Sequence, residues 1–341
     1  MIPSPLRALI AALALAPALQ AQRGTVVVSN MNDATATVID AATGRVVATL
    51  ATGEGPHEVT VSRDGRTAAV SNYGLRGKPG NTISIIDVAR AEVVRTLTIT
   101  GHQRPHGMAF LPGDTLLAVT AEASKALLLV DVRDGRVVTT RPTSGRVSHM
   151  VSLTADGERA FTGNIADGTL SMLTIRGTDS ARVVKVARQP EGLAATPDGR
   201  LVFVGSNADS VVLVVDAASG AVVDTLRGFG LPYRMQVTPD GRTVVVTDPV
   251  KAQVRAFDVN TRRARWTLDV PADSLVSTAE VPRSPSPEGI TTSRDGRHMF
   301  VTLQGRNRMI VIDTDNGSIV RWAPTGTWSD GIGFSPIVSK R

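Results

Sequence analysis

The chain contains no cysteine. That excludes disulfides, thiolate metal ligands, covalently attached haem and a lipid-modified N-terminal cysteine. Aromatic residues make up only 4 % of it, too few for the exposed rings on which single-stranded nucleic acid stacks. Beyond position 21 no apolar run approaches the roughly 20 residues that a membrane-spanning helix needs. Long basic runs are missing as well. The net charge of +6 comes from cations scattered through turns, whereas a nucleic-acid footprint needs them clustered. The scatter argues against a nucleic-acid partner. There is also no Gly-rich phosphate loop, Gly-x-Ser-x-Gly elbow, His-Glu-x-x-His pair or EF-type calcium loop.

What is present begins with a leader. Arg7 precedes an apolar run from Ala8 to Leu19, broken by Pro17 and followed by Gln20-Ala21. The run is too short to span a bilayer, and small residues near Ala21 suit a signal peptidase. Residues 1–21 are therefore expected to be a signal peptide and 22–341 a single folded domain. Export without disulfides suits a bacterial periplasm or exterior.

The rest of the sequence repeats one phrase seven times. Its first marker is a turn: Arg63-Asp64-Gly65, Ala155-Asp156-Gly157, Pro197-Asp198-Gly199, Pro239-Asp240-Gly241 and Arg294-Asp295-Gly296, with an altered Pro112-Gly113-Asp114. Asp-Gly between apolar runs signals a hairpin, because Gly accepts positive φ and Asp bonds locally to backbone N–H groups. The second marker is an alternating strand ending in Asp, as in Thr37-Val38-Ile39-Asp40, Leu213-Val214-Val215-Asp216 and Ile310-Val311-Ile312-Asp313. Between markers the apolar pattern has period two, and no helical period runs for ten residues. Four short strands, A to D, in units of about 45 residues predict an all-β, seven-bladed propeller. The first strand, Thr25 to Asn30, reads as a B strand and the last, Gly331 to Pro336, as an isolated A strand. The C-terminal strand should complete the N-terminal blade and hide its open edge.

The repeats VVVSN…TATVIDAATGRVVATLATGEGPHEVTVSRDGRT and VFVGSN…VVLVVDAASGAVVDTLRGFGLPYRMQVTPDGRT resemble the YVTN-type β-propeller repeat family over nearly all of the chain after the leader. The resemblance implies a seven-bladed propeller. Members of that family include secreted surface-associated proteins and lactonase-like propellers, and most are similar to binding or interaction modules. Fold alone does not select among these functions.

Aligning the turns puts one residue per blade at the mouth of the channel, just before strand A: His57, His106, His149, Glu191, Tyr233, Glu288 and Asp330. Three of the five histidines occupy this slot on consecutive blades. Imidazoles bind Zn, Cu, Fe or Ni, so His57, His106 and His149 form a candidate site for a divalent transition metal, with carboxylates opposite. Without metal, His and Glu side by side could exchange protons with a substrate. Pro-His-Gly before strand A is also a frequent phrase in the family, where the histidine simply bonds a neighbouring loop.

Glu58 and Arg234 stand where most blades have Gly, so both should reach the same mouth. Arg234 suits either a ligand anion or the ring carboxylates. Asn30, Asn72, Asn164 and Asn207 end B strands, where asparagine tolerates a left-handed turn. His102 is a candidate partner of His106, His298 should lie near the opposite face, and Trp328 should wall the pocket. Two insertions, Gly74 to Asn81 and Pro271 to Pro287, should lengthen loops on the histidine face, the second as a lid or a plain excursion.

The expected function is an exported, monomeric binding module for a small molecule, peptide or glycan. The rivals are a metal-dependent or lactonase-like enzyme using the histidines, and a DNA-associating protein whose affinity would collapse with salt.

Overall fold

The computed structural model describes residues 22–272 and 284–340. The expected leader and most of the 271–287 segment lie outside them. Within the described residues, 28 strands form seven antiparallel four-stranded sheets. Blade 1 is built from β1 (Thr25–Asn30), β2 (Thr35–Asp40), β3 (Val46–Ala51) and the C-terminal strand, β28 below. Blade 2 contains β4 (Pro56–Val61), β5 (Thr67–Leu75), β6 (Lys78–Asp87) and β7 (Glu92–Thr98). Blade 3 contains β8 (Pro105–Phe110), β9 (Leu116–Ala121), β10 (Ala126–Asp131) and β11 (Val137–Pro142). Blade 4 contains β12 (Ser148–Leu153), β13 (Arg159–Asn164), β14 (Thr169–Thr174) and β15 (Arg182–Lys185). Blade 5 contains β16 (Pro190–Ala195), β17 (Leu201–Ser206), β18 (Val211–Asp216) and β19 (Val222–Leu226). Blade 6 contains β20 (Met235–Val237), β21 (Thr243–Asp248), β22 (Gln253–Asp258) and β23 (Ala264–Asp269). Blade 7 contains β24 (Pro287–Thr292), β25 (His298–Leu303), β26 (Arg308–Asp313) and β27 (Ile319–Pro324). The last strand, β28 (Ser329–Ser335), pairs with β1 and closes the ring as the strand order requires.

The turn markers do the work their chemistry allows. In the Asp-Gly turns the Asp carboxylate accepts the hydroxyl of the residue two before it and the N–H two after it, as at Asp198 with Thr196 and Arg200. Gly199 and its equivalents have φ of +65° to +79°. The altered turn binds outward instead: Asp114 accepts the N–H groups of Arg63 and Asp64 on the neighbouring blade. Strand-end Asp residues fold back likewise, Asp40 accepting Thr43 N–H at 2.8 Å.

Strands B and C are covered on both faces by adjacent blades, which explains their Val-rich continuous runs. Phe161 and Leu170 of blade 4 pack with Val202, Val204, Leu213 and Val215 of blade 5. Phe203 is fully buried on the other face of the same sheet. Its truncation to Ala would cost about 3–5 kcal/mol.

The Gly74–Asn81 insertion is no loop. Gly74 pairs with Pro79 and Leu75 with Lys78, so β5 and β6 run on as an extended hairpin. Its strand-forming alternation was masked by Gly and Pro. The four asparagines also differ from expectation: none has positive φ. Asn30, Asn72 and Asn164 instead donate to hydroxyls of strand C. Asn30 and Asn72 also accept a backbone N–H from the D–A loop, Gly326 and Gly53 respectively. Ser206, not Asn207, is the register partner of Pro190, so Asn207 sits one place further on.

Candidate functional site

A repeated backbone device sets the ring. In six blades, all but blade 6, the residue two before the ring position is left-handed: Gly55, Arg104, Val147, Gln189, Ser286 and Trp328 have φ of 50–60°. For β-branched Val147 and bulky Trp328 this conformation is strained. In the same six blades the A–B register slips just afterwards, between Pro56 and Val59 in blade 2 for example. The ring residue and its successor lie inside that bulge, which turns side chains inward. Blade 6 lacks both features, and Tyr233 precedes its short strand A rather than beginning it.

Hydroxyls from the preceding blade fix the ring from behind. Thr247 Oγ1 donates to the carbonyl of Glu288 at 2.8 Å, Thr302 Oγ1 to that of Asp330 at 2.8 Å, and Ser29 Oγ to that of His57 at 2.5 Å. Thr120 makes the same bond to His149. At the equivalent place Gly163 and Gly205 leave no room for a side chain: a Cβ on Gly205 would lie 2.4 Å from the Pro232 carbonyl.

All seven ring positions converge, and each is buried or half-buried. Arg234, 3 % exposed, crosses the channel axis. Its Nη2 and Nε donate to Glu58 Oε1 at 2.7 and 3.0 Å, and its Nη1 to Glu191 Oε1 at 3.0 Å. This ion pair forms a floor. Beyond it the channel opens toward the Asp-Gly face as a cavity of about 440 Å³, walled by strands A through residues such as Val59, Phe110, Met235 and Ile290.

The histidines carry different charges. His149 is clamped between two carboxylates: Glu122 on Nδ1, and Glu191 2.5 Å from Nε2 in an ion pair too bent to be an aligned hydrogen bond. Burial opposes its charge, but Glu191 and Glu122 outweigh that and raise its pKa to about 9. Glu191 responds in kind: burial pushes it up, yet His149 and Arg234 hold it at about 2. His106, wholly buried, is driven well below the ordinary histidine value by burial and by its cationic neighbours, and stays neutral. Burial also works against charge on His57, but Asp330, 2.5 Å from Nδ1, raises its pKa. The His57 and His106 rings meet with their Nε2 atoms 3.3 Å apart. His106 lies over His149 with centroids 3.6 Å apart.

Beside His57 a second cavity, of about 570 Å³, opens to solvent. It is lined by His57, Tyr233, Glu288, Gln304, Trp328 and Asp330, with Met31, Leu231, Pro249 and Val250 as apolar walls. Glu288 accepts Ser286 Oγ and Gln304 Nε2, each at 2.8 Å. Burial and the Asp330 charge raise its pKa to about 8, so at neutral pH it is a carboxylic acid. Both Asp330 oxygens are buried without an aligned hydrogen-bond donor.

The metal expectation changes shape here. Among the described residues two overlapping sets have ligand atoms all within 4.8 Å: His57/Glu58/His106 and His106/Glu122/His149. The trio of histidines is not one of them, because His149 turns both ring nitrogens to carboxylates. His102 does not serve His106 but meets Ser124 Oγ at 3.0 Å. His298 begins β25 at the Asp-Gly end, away from the ring. Trp328 walls the solvent-open cavity as its position suggested.

Sequence reasoning overlooked a second tier, the residue one place beyond the end of the A–B pairing, as Tyr73 follows Asn72, the partner of Pro56, or in blade 6 beyond the end of strand B. There Tyr73 donates to Glu122, Glu122 holds His149, Gln304 holds Glu288, and Met31 and Pro249 line the cavity. The repeat alignment that found the first ring locates this one too.

No protein-family model and no curated protein matches the chain. Solved structures do. A protein of unknown function from Desulfotomaculum acetoxidans DSM 771 superposes with a TM-score of 0.72 at 12 % identity, over 93 % of this chain and 100 % of that one. Kuenenia stuttgartiensis hydrazine synthase superposes with a TM-score of 0.69 at 18 % identity, over 83 % of this chain and 90 % of that one. At these identities the likeness is one of fold.

Proposed function

We propose that the protein is an exported, monomeric binding module, a single propeller domain behind a leader of residues 1–21, which captures a small polar ligand at the mouth of its channel. The observation that carries this reading is the cavity of about 570 Å³, a volume within the range of small-molecule sites. A few polar groups, His57, Glu288, Gln304 and Asp330, stand among apolar and aromatic walls, the mixture that fixes a ligand's orientation while excluding water. Among the described residues no helix is long and apolar enough to cross a membrane.

The test is a ligand-observed NMR screen of sugars, organic acids, amino acids and short peptides, on wild type and on Val250→Arg. Val250 is 67 % exposed at the cavity wall, so the fold tolerates the change while the entrance is obstructed. Hits that vanish in the variant support the reading. If every hit survives the substitution, or no compound binds, the site is not a ligand pocket.

A second reading, lactonase-like hydrolysis, draws on Glu288 as a proton donor poised at about 8. It requires lactone turnover that Glu288→Gln abolishes.

A further inference from the structure

We infer that the protein holds one divalent transition-metal ion between the Nε2 atoms of His57 and His106, with Glu58 as third ligand and Asp330 as the carboxylate behind His57. The inference does not depend on the ligand reading, because it rests on the spacing of the ring nitrogens, although His57 and Asp330 also line that cavity.

The spacing is the first argument. Tetrahedral Zn–N bonds of about 2.0–2.1 Å place neighbouring ligand nitrogens roughly 3.3–3.4 Å apart. The two Nε2 atoms are 3.3 Å apart, one edge of such a tetrahedron. As a plain hydrogen bond the same contact is long, since the usual N–H donor sits about 2.9–3.0 Å from its acceptor. The second argument is orientation. Asp330 lies 2.5 Å from Nδ1 of His57, the placement by which a carboxylate fixes a metal-bound imidazole with its Nε2 lone pair forward. Tyr73 packs edge-on against both rings at 5.5 Å, holding their planes.

Glu58 completes the set, with a carboxylate oxygen within 4.8 Å of a ring nitrogen of each histidine, its Oε1 standing 3.9 Å from His57 Nδ1. Both guanidinium bonds from Arg234 go to its Oε1, so Arg234 makes no use of the other oxygen. His57 also lines the solvent-open cavity, from which water or a ligand atom can approach the ion. Glu58, Glu191 and Asp330 supply the negative charge that a dication beside Arg234 requires. Two imidazoles and one carboxylate select Zn(II), Co(II) or Cu(II) over Ca(II) and Mg(II), which prefer oxygen alone. The other set is a poorer host. Its His149 presents both nitrogens to Glu122 and Glu191, so a metal there must first break that clamp.

The experiment uses untagged protein, stripped with chelator and dialysed, then titrated with ZnCl2 by calorimetry and with CoCl2 in the visible. The expected result is one ion per chain, with the intense ligand-field bands of four-coordinate Co(II). His57→Gln and His106→Gln should each abolish uptake, while His298→Gln and His149→Gln retain it. Asp330→Asn should keep the stoichiometry but weaken affinity about 10- to 100-fold. Should either glutamine variant lose its far-UV CD spectrum, the wild-type imidazole 15N resonances decide. Zn(II) must then shift His57 and His106 and leave His298 in place. The inference is overturned if wild type takes up none of Zn(II), Co(II) or Cu(II). It is equally overturned if uptake survives His57→Gln or depends on His149.

Discussion

Replacing Arg234 by Leu tests whether the floor of the mouth is held by charge. The guanidinium is buried, and its partners Glu58 and Glu191 are 8 % and 9 % exposed. Leucine occupies much of the space but strips Glu58 of its guanidinium partner in a site that water barely reaches and leaves Glu191 with His149 alone. Removing one member of a buried ion pair costs about 3–5 kcal/mol, mostly because the remaining charge is uncompensated. Unfolding entropy of about 2.1 cal/mol/K per residue over roughly 320 residues makes 1 kcal/mol worth about 1.5 °C, so Tm should fall by about 5–7 °C. The loss should also depend on pH. Glu191 is held at about 2, below its ordinary 4.5; a carboxylate so depressed stabilises fully above 4.5 and loses that contribution as pH falls through about 2. The gap between variant and wild type should therefore narrow from pH 7 to pH 3. Urea denaturation followed by circular dichroism at both values measures it. A loss below about 1 kcal/mol, the level of a surface ion pair, or one that is equal at the two pH values, refutes the reasoning. Adding Glu58→Gln to Arg234→Leu should recover most of the loss, since Glu191 keeps its pairing with His149 and the carboxylate left without a partner is gone.

Three other outcomes are expected. Deleting residues 329–341 removes β28 and bares the edge of β1, so the truncated chain should lose its cooperative thermal transition in calorimetry. Glu288→Gln should stabilise at pH 7 by up to about 3 kcal/mol: burial beside Asp330 raises its folded value to about 8, which penalises folding progressively from pH 4.5 upward. That gain should vanish at pH 4 in urea titrations. His149 has the opposite sign. Its value is raised from 6.5 to about 9, so its contribution of about 3 kcal/mol is complete below 6.5 and disappears as pH rises through 9. Tyr73, held at about 12, stays protonated over this range. The deficit of His149→Gln should accordingly be large at pH 6 and small at pH 10.

The architecture was legible because each blade repeats its own turn chemistry: the Asp of Asp-Gly and the Asp ending strand C make local backbone bonds that no other residue makes as well. The ring was legible for the same reason, since counting seven back from the Asp of five turns, and eight from the altered one, reaches six of its seven positions. What the residues do there was not. His57, His106 and His149 are equivalent in the repeat, yet one pairs with Asp330, one stays neutral and one is clamped as a cation. Those differences arise from Glu122 and Glu191 on the blades flanking His149 and from Asp330, which reaches His57 only when the ring closes, and none of these contacts is between neighbours in the sequence. Asn30 and Asn72 were legible as structural but for the wrong reason: the turn preference of asparagine suggested a left-handed backbone, whereas their amides bond hydroxyls of the adjacent strand C and a backbone N–H of the D–A loop. The Gly74–Asn81 hairpin was hidden by residues that normally end strands.

The contact between Ser29 and Gly331 spans 302 positions, and it ties the beginning of the folded chain to its end. A ribosome delivers the partners of that contact far apart in time. Until β28 arrives, β1 waits with one edge unpaired. Closing so long a loop is slow, because its entropic cost must be met before the long-range contacts that reward it can form. The ring of histidines and carboxylates therefore cannot assemble blade by blade. Asp330 reaches His57 only with the final strand, so the site comes into being in the last step of folding, and an unfinished chain carries six complete blades and three strands of blade 1 with the ring still open.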